Sequence, residues 1–197
     1  MRRPDFSDWL VHLTREVDEG NDAFAALLDA PKPKRYVAPF DVLCNILSDG
    51  AIAGGLGFVK GHRRVACFSE IPLSSIAHFA SRPDEKLSRY RYYGIAVSKA
   101  AAYAQGGRPV IYLPDSESGW VPEDQRWRLV RFEPQNRIDY TFEREWRVPD
   151  VFNLRATDRI YVLVWSAEEA LKVRQIDSPL QALIAGVLPL EHITELV

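Results

Sequence analysis

The chain has 197 residues, 47% of them hydrophobic, enough to bury a real core in one α+β domain spanning residues 1–197. Its 25 basic and 27 acidic side chains leave a formal net charge of −2, so no overall field recruits nucleic acid or an anionic membrane surface. Cys44 and Cys67 make no disulfide framework and no zinc spacing with the four histidines, the opening Met-Arg-Arg-Pro-Asp-Phe is not a secretion signal, and no apolar run reaches membrane-spanning length. Together these features predict a soluble, cytoplasmic protein.

In chain order, Trp9 to Thr14 is a short apolar run with His12 and Thr14 at alternate positions, which predicts a strand with those two on one face; a helix starting at Ser7 or Asp8 is the competing expectation. Phe24 to Leu28 predicts one or two helical turns, stopped by Lys32-Pro33-Lys34. Val42, Leu43, Ile46 and Leu47 have helical spacing, and Gly50 suits a C-terminal cap. Ala51 to Gly57 reads as a glycine-rich loop that matches neither the phosphate-loop nor the dinucleotide pattern.

Arg64 to Glu70 predicts a buried strand, ended by Pro72. A helix is expected from Ser74 to about Ala80, followed by a charged, exposed segment over 81–91. Tyr92 to Val97 predicts a strand, after which Ser98 caps a helix over 99–104. Pro109 to Leu113 and Arg126 to Phe132 predict two more strands, separated by a polar, mobile loop over 115–126. Arg159 to Trp165 is rich in β-formers, Ser166 and Glu169 form a capping-box pattern, and helices are expected near Ser178-Pro179 and after Pro189. The sum is a mixed, mainly antiparallel sheet with flanking helices.

The chemistry concentrates in Phe142-Glu143-Arg144-Glu145-Trp146-Arg147-Val148. On a strand, Glu143, Glu145 and Arg147 would share one face and Arg144, Trp146 and Val148 the other. Close carboxylates push one another's pKa values apart, and a flanking guanidinium favours their charged forms. Such a face can hold a ribose diol or stabilise a developing cation; it also suits a solvated strand with cross-strand ion pairs. His12 with Thr14, and Ser69 with Glu70, lie on other predicted strands that a sheet could bring to the same cleft.

The succession of His12-x-Thr14, Cys67-Phe-Ser-Glu-Ile-Pro-Leu73, Tyr93-Gly-Ile-Ala-Val-Ser-Lys99, Pro109-Val-Ile-Tyr-Leu113 and Glu143-Arg-Glu-Trp-Arg-Val148 resembles the AbiGi-type abortive-infection proteins of bacteria. The layout also resembles ADP-ribosyltransferases of the DarT kind, which carry an early His or Arg, a middle strand and a late Glu. The resemblance implies an ADP-ribosyltransferase-like fold and an NAD-consuming toxin or effector of phage defence. Glu145 would stabilise the oxocarbenium ion as the glycosidic bond breaks, and Glu143 would hold or deprotonate the acceptor. His12, Thr14 and Ser69 would line the NAD site, and Arg63 or Arg64 would take a pyrophosphate oxygen. Tyr90, Tyr92 and Tyr93 are candidates to sandwich nicotinamide. The acceptor would be nucleic acid, protein or water, and a cognate antitoxin would be a partner. Two alternatives stand beside this reading. One is a non-catalytic member of a toxin–antitoxin pair; the other is a nuclease holding a divalent ion with Glu70, Glu143 and Glu145.

Overall fold

A computed structural model describes residues 7–18, 36–57, 59–73, 75–76 and 93–194. Strand β1 (Trp9–Leu13) forms at the predicted alternating run. The short strands β2 (Val17–Asp18) and β3 (Tyr36–Val37) pair with each other. Helix α1 (Pro39–Asp49) starts on a proline, which needs no amide donor in a first turn, and buries Leu43 and Leu47. Gly50 ends it in the left-handed region at φ 71°, donating its N–H to the Ile46 carbonyl at 2.9 Å. The next residues are not all loop: β4 (Ala51–Ala53) pairs with a later strand, because Ile52 has a core to enter.

Strands β5 (Val65–Ser69) and β6 (Gly94–Ser98) occupy their predicted places, and Ser98 caps α2 (Lys99–Ala104) by accepting from the Ala101 N–H. The helical turns expected at 24–28, and nearly all of those expected over 74–80, lie outside the described residues, as does the charged segment 81–91. The predicted strand over 109–113 is two pieces, β7 (Arg108–Pro109) and β8 (Ile111–Leu113). Residues 115–120 and 123–128 are 3-10 turns rather than an irregular loop, and β9 (Leu129–Arg131) is shorter than the expected strand.

Strand β10 (Glu145–Pro149) turns at Asp150 into β11 (Val151–Asn153), which pairs with β4. Strand β12 (Ile160–Val164) leads to α3 (Ala167–Arg174), opened by the full Ser166–Glu169 capping box. The helix expected near Ser178-Pro179 is instead a 3-10 turn (Gln181–Leu183) followed by strand β13 (Ile184–Pro189). Its run Ile184-Ala-Gly-Val-Leu carries the β-branched Ile184 and Val187 and a central glycine that disfavours helix. Helix α4 (Glu191–Thr194) closes the described chain.

Seven strands form one sheet in the order β13-β12-β6-β1-β5-β10-β7. Within this sheet only the β12–β13 pair is parallel, and outside it β8 and β9 also pair in parallel. The result is an α+β fold on a mixed, mainly antiparallel sheet. One face buries Leu10, Phe68, Ile95, Val97, Val148, Val162 and Val164 against α1, α3 and the fully buried Phe152. The other face carries a smaller cluster around Val11, Ala96, Leu163 and Leu190.

Candidate functional site

Ser69, the last residue of β5, stands opposite Val11 of β1 on one side and opposite Glu145 of β10 on the other. Paired residues of antiparallel strands point to the same face. The side chains of Val11, Ser69 and Glu145 therefore share the face of the smaller cluster, and Cys67 and Arg147, two residues along their strands, share it as well. The Ser69 hydroxyl donates to the Glu143 carbonyl and fastens the turn that precedes β10.

That turn changes the expected alternation. Residues 141–143 form a 3-10 turn, and Arg144 leaves it in the left-handed region at φ 44°, so the strand begins only at Glu145. Glu143 is thus brought near by a turn, not by strand periodicity. Its charge still reaches Cys67 and Tyr112.

Glu145 and Arg147 form a two-pronged ion pair within one strand. Arg147 Nε donates to Glu145 Oε1 at 2.8 Å and Nη2 to Oε2 at 3.3 Å. The third nitrogen, Nη1, donates to the carbonyls of Trp127 at 2.6 Å and Leu129 at 3.2 Å. The two side chains are only 8% and 13% exposed, so water contributes little to their solvation. Burial opposes the charge on Arg147, but the Glu145 carboxylate beside it outweighs that and raises its pKa.

Cys67 shares the face of this pair and stands directly opposite Arg147 on the neighbouring strand. Burial, followed by the negative charge of Glu145, pushes the thiol up to about 12, so it stays protonated and is no nucleophile at neutral pH. The Tyr112 hydroxyl accepts from the Glu145 N–H at 3.2 Å and donates to the Tyr140 carbonyl at 3.2 Å. Burial raises it to about 12. A neutral thiol, a neutral phenol and the Glu145 carboxylate thus stand near one anchored guanidinium, with Ser69 on the same face.

His12 and Thr14 alternate with Val11 and point to the opposite face of the sheet. His12 packs its ring against Phe68 at 5.7 Å and makes a 2.8 Å hydrogen bond between Nδ1 and the Cys67 carbonyl. Burial holds its imidazole below the ordinary histidine range, so it is neutral and Nδ1 is the donor. Thr14 donates to the carbonyls of Pro39 at 2.8 Å and Tyr93 at 3.2 Å. Arg64 precedes β5, about 16 Å along the strand from Ser69, and its neighbour Arg63 is paired with Asp150. The sheet therefore unites Ser69, Glu143 and Glu145 but not His12, Thr14 or Arg64. Tyr90 and Tyr92 lie outside the described residues, and Tyr93 packs on Phe40 with its hydroxyl on Glu169 at 2.7 Å.

Cys67 and Tyr112 were not singled out from sequence, although Cys67 is two residues from Ser69 and so on its face, and Tyr112 sits in the Pro109–Leu113 motif. Glu70, by contrast, turns to the other face. It accepts from Trp146 Nε1 at 3.2 Å and pairs with Lys99 Nζ at 2.7 Å. Among the described residues no group of three His, Cys, Asp or Glu side chains is placed to hold a metal ion. No helix among them is long and apolar enough to cross a membrane.

The fold and this site define an α+β protein with a carboxylate–guanidinium centre at one end of its sheet. No protein-family model, no curated protein and no solved structure matches the chain.

Proposed function

We propose that this chain is an NAD-consuming, ADP-ribosyltransferase-like effector of bacterial phage defence, with Glu145 at the reacting ribose. One observation carries the reading. The early, middle and late elements that the resemblance requires are three neighbouring strands, β1, β5 and β10, and Ser69 stands in register with both flanking strands.

In this reading NAD is a substrate, and the bond that breaks joins its ribose C1′ to the nicotinamide nitrogen. Nicotinamide leaves with the electron pair, and the cation left on the ribose is met by the Glu145 carboxylate. Arg147 holds that carboxylate aimed through its two prongs, while each oxygen retains a further lone pair for a ribose hydroxyl. Acceptor or water attacks C1′, and Glu143 takes its proton. His12 serves by tying β1 to β5 through the Cys67 carbonyl rather than by touching substrate.

The test is nicotinamide release from NAD by the purified chain, beside Glu145→Gln, without acceptor and then with nucleic acid or lysate protein. Release that falls at least a hundredfold in a folded Glu145→Gln variant is the expected result. Equal release by both proteins, or none by either under all three conditions, overturns the reading.

A further inference from the structure

Beside the carboxylate centre lies a pair of arginines that the ion-pair network leaves uncompensated. Arg108 of β7 stands directly opposite Arg147. Its guanidinium lies over the Tyr103 ring at 3.8 Å, and Nη1 donates to the carbonyls of Tyr103 at 3.2 Å and Gly107 at 2.6 Å. Arg128 reaches the same short strand from the 3-10 turn before β9: its Nε donates to the Pro109 carbonyl at 3.1 Å and Nη1 to Gln125 Oε1 at 3.4 Å. Neither arginine has a carboxylate within ion-pair distance among the described residues, and neither Nη2 has a hydrogen-bond partner among them.

Two guanidiniums anchored on the same short strand and its flanking turn by carbonyls, an amide and an aromatic ring are preoriented, and the ring contact is itself favourable to a cation. Burial and the charge of Arg108 both disfavour the charged form of Arg128. An anion between the two would relieve that repulsion, and guanidinium forks fit the oxygens of phosphate.

We propose that Arg108 and Arg128 form an anion subsite for the pyrophosphate of a dinucleotide. The proposal rests on the NAD reading above. Arg108 faces Arg147, so its diagonal neighbour on β10 is Glu145, about 7–8 Å away backbone to backbone. In a dinucleotide the reacting ribose and the pyrophosphate are joined through one methylene carbon and one oxygen, so groups that hold the two must lie this close. The subsite replaces Arg63 and Arg64 as the phosphate partners, since both sit at the far end of β5.

The experiment is calorimetric titration of the full chain with inorganic pyrophosphate and, separately, with ADP-ribose. Arg108→Gln, Arg128→Gln and the charge-retaining Arg128→Lys are compared with Arg63→Gln as a control, and each variant's thermal midpoint reports its folding. Both ligands are expected to bind the wild type and to lose at least tenfold in affinity in each glutamine variant, with Arg128→Lys intermediate and Arg63→Gln unchanged. No binding of either ligand to the wild type, or equal binding by folded glutamine variants, overturns the subsite. Pyrophosphate binding that depends on both arginines, in a protein that releases no nicotinamide, upholds the subsite and overturns the NAD reading instead.

Discussion

Arg147 grips both carboxylate oxygens of Glu145 from two positions further along the same strand, at 2.8 and 3.3 Å. Side chains at this spacing share a face, so the contact is local in sequence. Its value is not local, because the third guanidinium nitrogen secures the Trp127 and Leu129 carbonyls of a distant segment. One side chain thereby ties the carboxylate of the site to the backbone on either side of Arg128.

Arg147→Ala strands a nearly buried carboxylate and two carbonyls at once. Removing one partner from such a pair costs about 3–5 kcal/mol. Urea unfolding followed by tryptophan fluorescence measures the loss, and a cost under about 1 kcal/mol would show that the pair contributes little.

Stability falls as the solution becomes alkaline. The Cys67 thiol is raised from 9.0 to about 12 and the Tyr112 phenol from 10.0 to about 12. Between those limits the unfolded chain has lost protons that the folded chain retains, so raising the pH favours unfolding. The melting temperature should decline from about pH 9 upward, less steeply in Cys67→Ala. A decline of the same slope in that variant would remove Cys67 from the account.

Acid acts through His12. Its folded pKa lies below the ordinary value of 6.5, so the unfolded state binds the proton first as the pH drops. The contribution is fully present above pH 6.5 and is lost progressively below it. His12→Gln should flatten the dependence of melting temperature on pH between 6.5 and 5 relative to wild type; parallel curves would contradict the assignment.

Neither thiol should react readily in the folded protein at pH 8. Burial raises both Cys44 and Cys67, and Cys67 is further disfavoured as a thiolate by Glu145. Labelling with a chromogenic disulfide reagent should be slow in buffer and complete in denaturant, with a rate ratio above about a hundredfold for Cys67. Rapid native labelling assigned to Cys67 by peptide mapping would show that its shielding is incomplete.

Glu70→Leu removes the acceptor shared by the Trp146 indole and Lys99 Nζ. With the ion pair only 12% and 16% exposed, the expected cost is about 2–3 kcal/mol together with a shift in tryptophan emission. Nicotinamide release should persist in the folded variant, because Glu70 faces away from Glu145. Loss of release without loss of folding would place Glu70 in the site.

What the sequence by itself determined was local. The α1 stop at Gly50, the Ser98 cap, the Ser166–Glu169 box and the strand-forming runs of β1, β5 and β12 each depend on residues within a few positions of one another, and each appears where the pattern places it. The shared face of Glu145 and Arg147 follows from the same two-residue period. Tertiary structure decided the rest. Strand β13 reads poorly because its partner β12 supplies the pairing, and Glu143 joins the site through a left-handed residue that breaks strand periodicity. Whether His12 faces Glu145 depends on the register of β1 against β5, and a shift of one residue would exchange every side chain between faces. That register is set by contacts between residues more than fifty positions apart, which spacing along one chain does not contain.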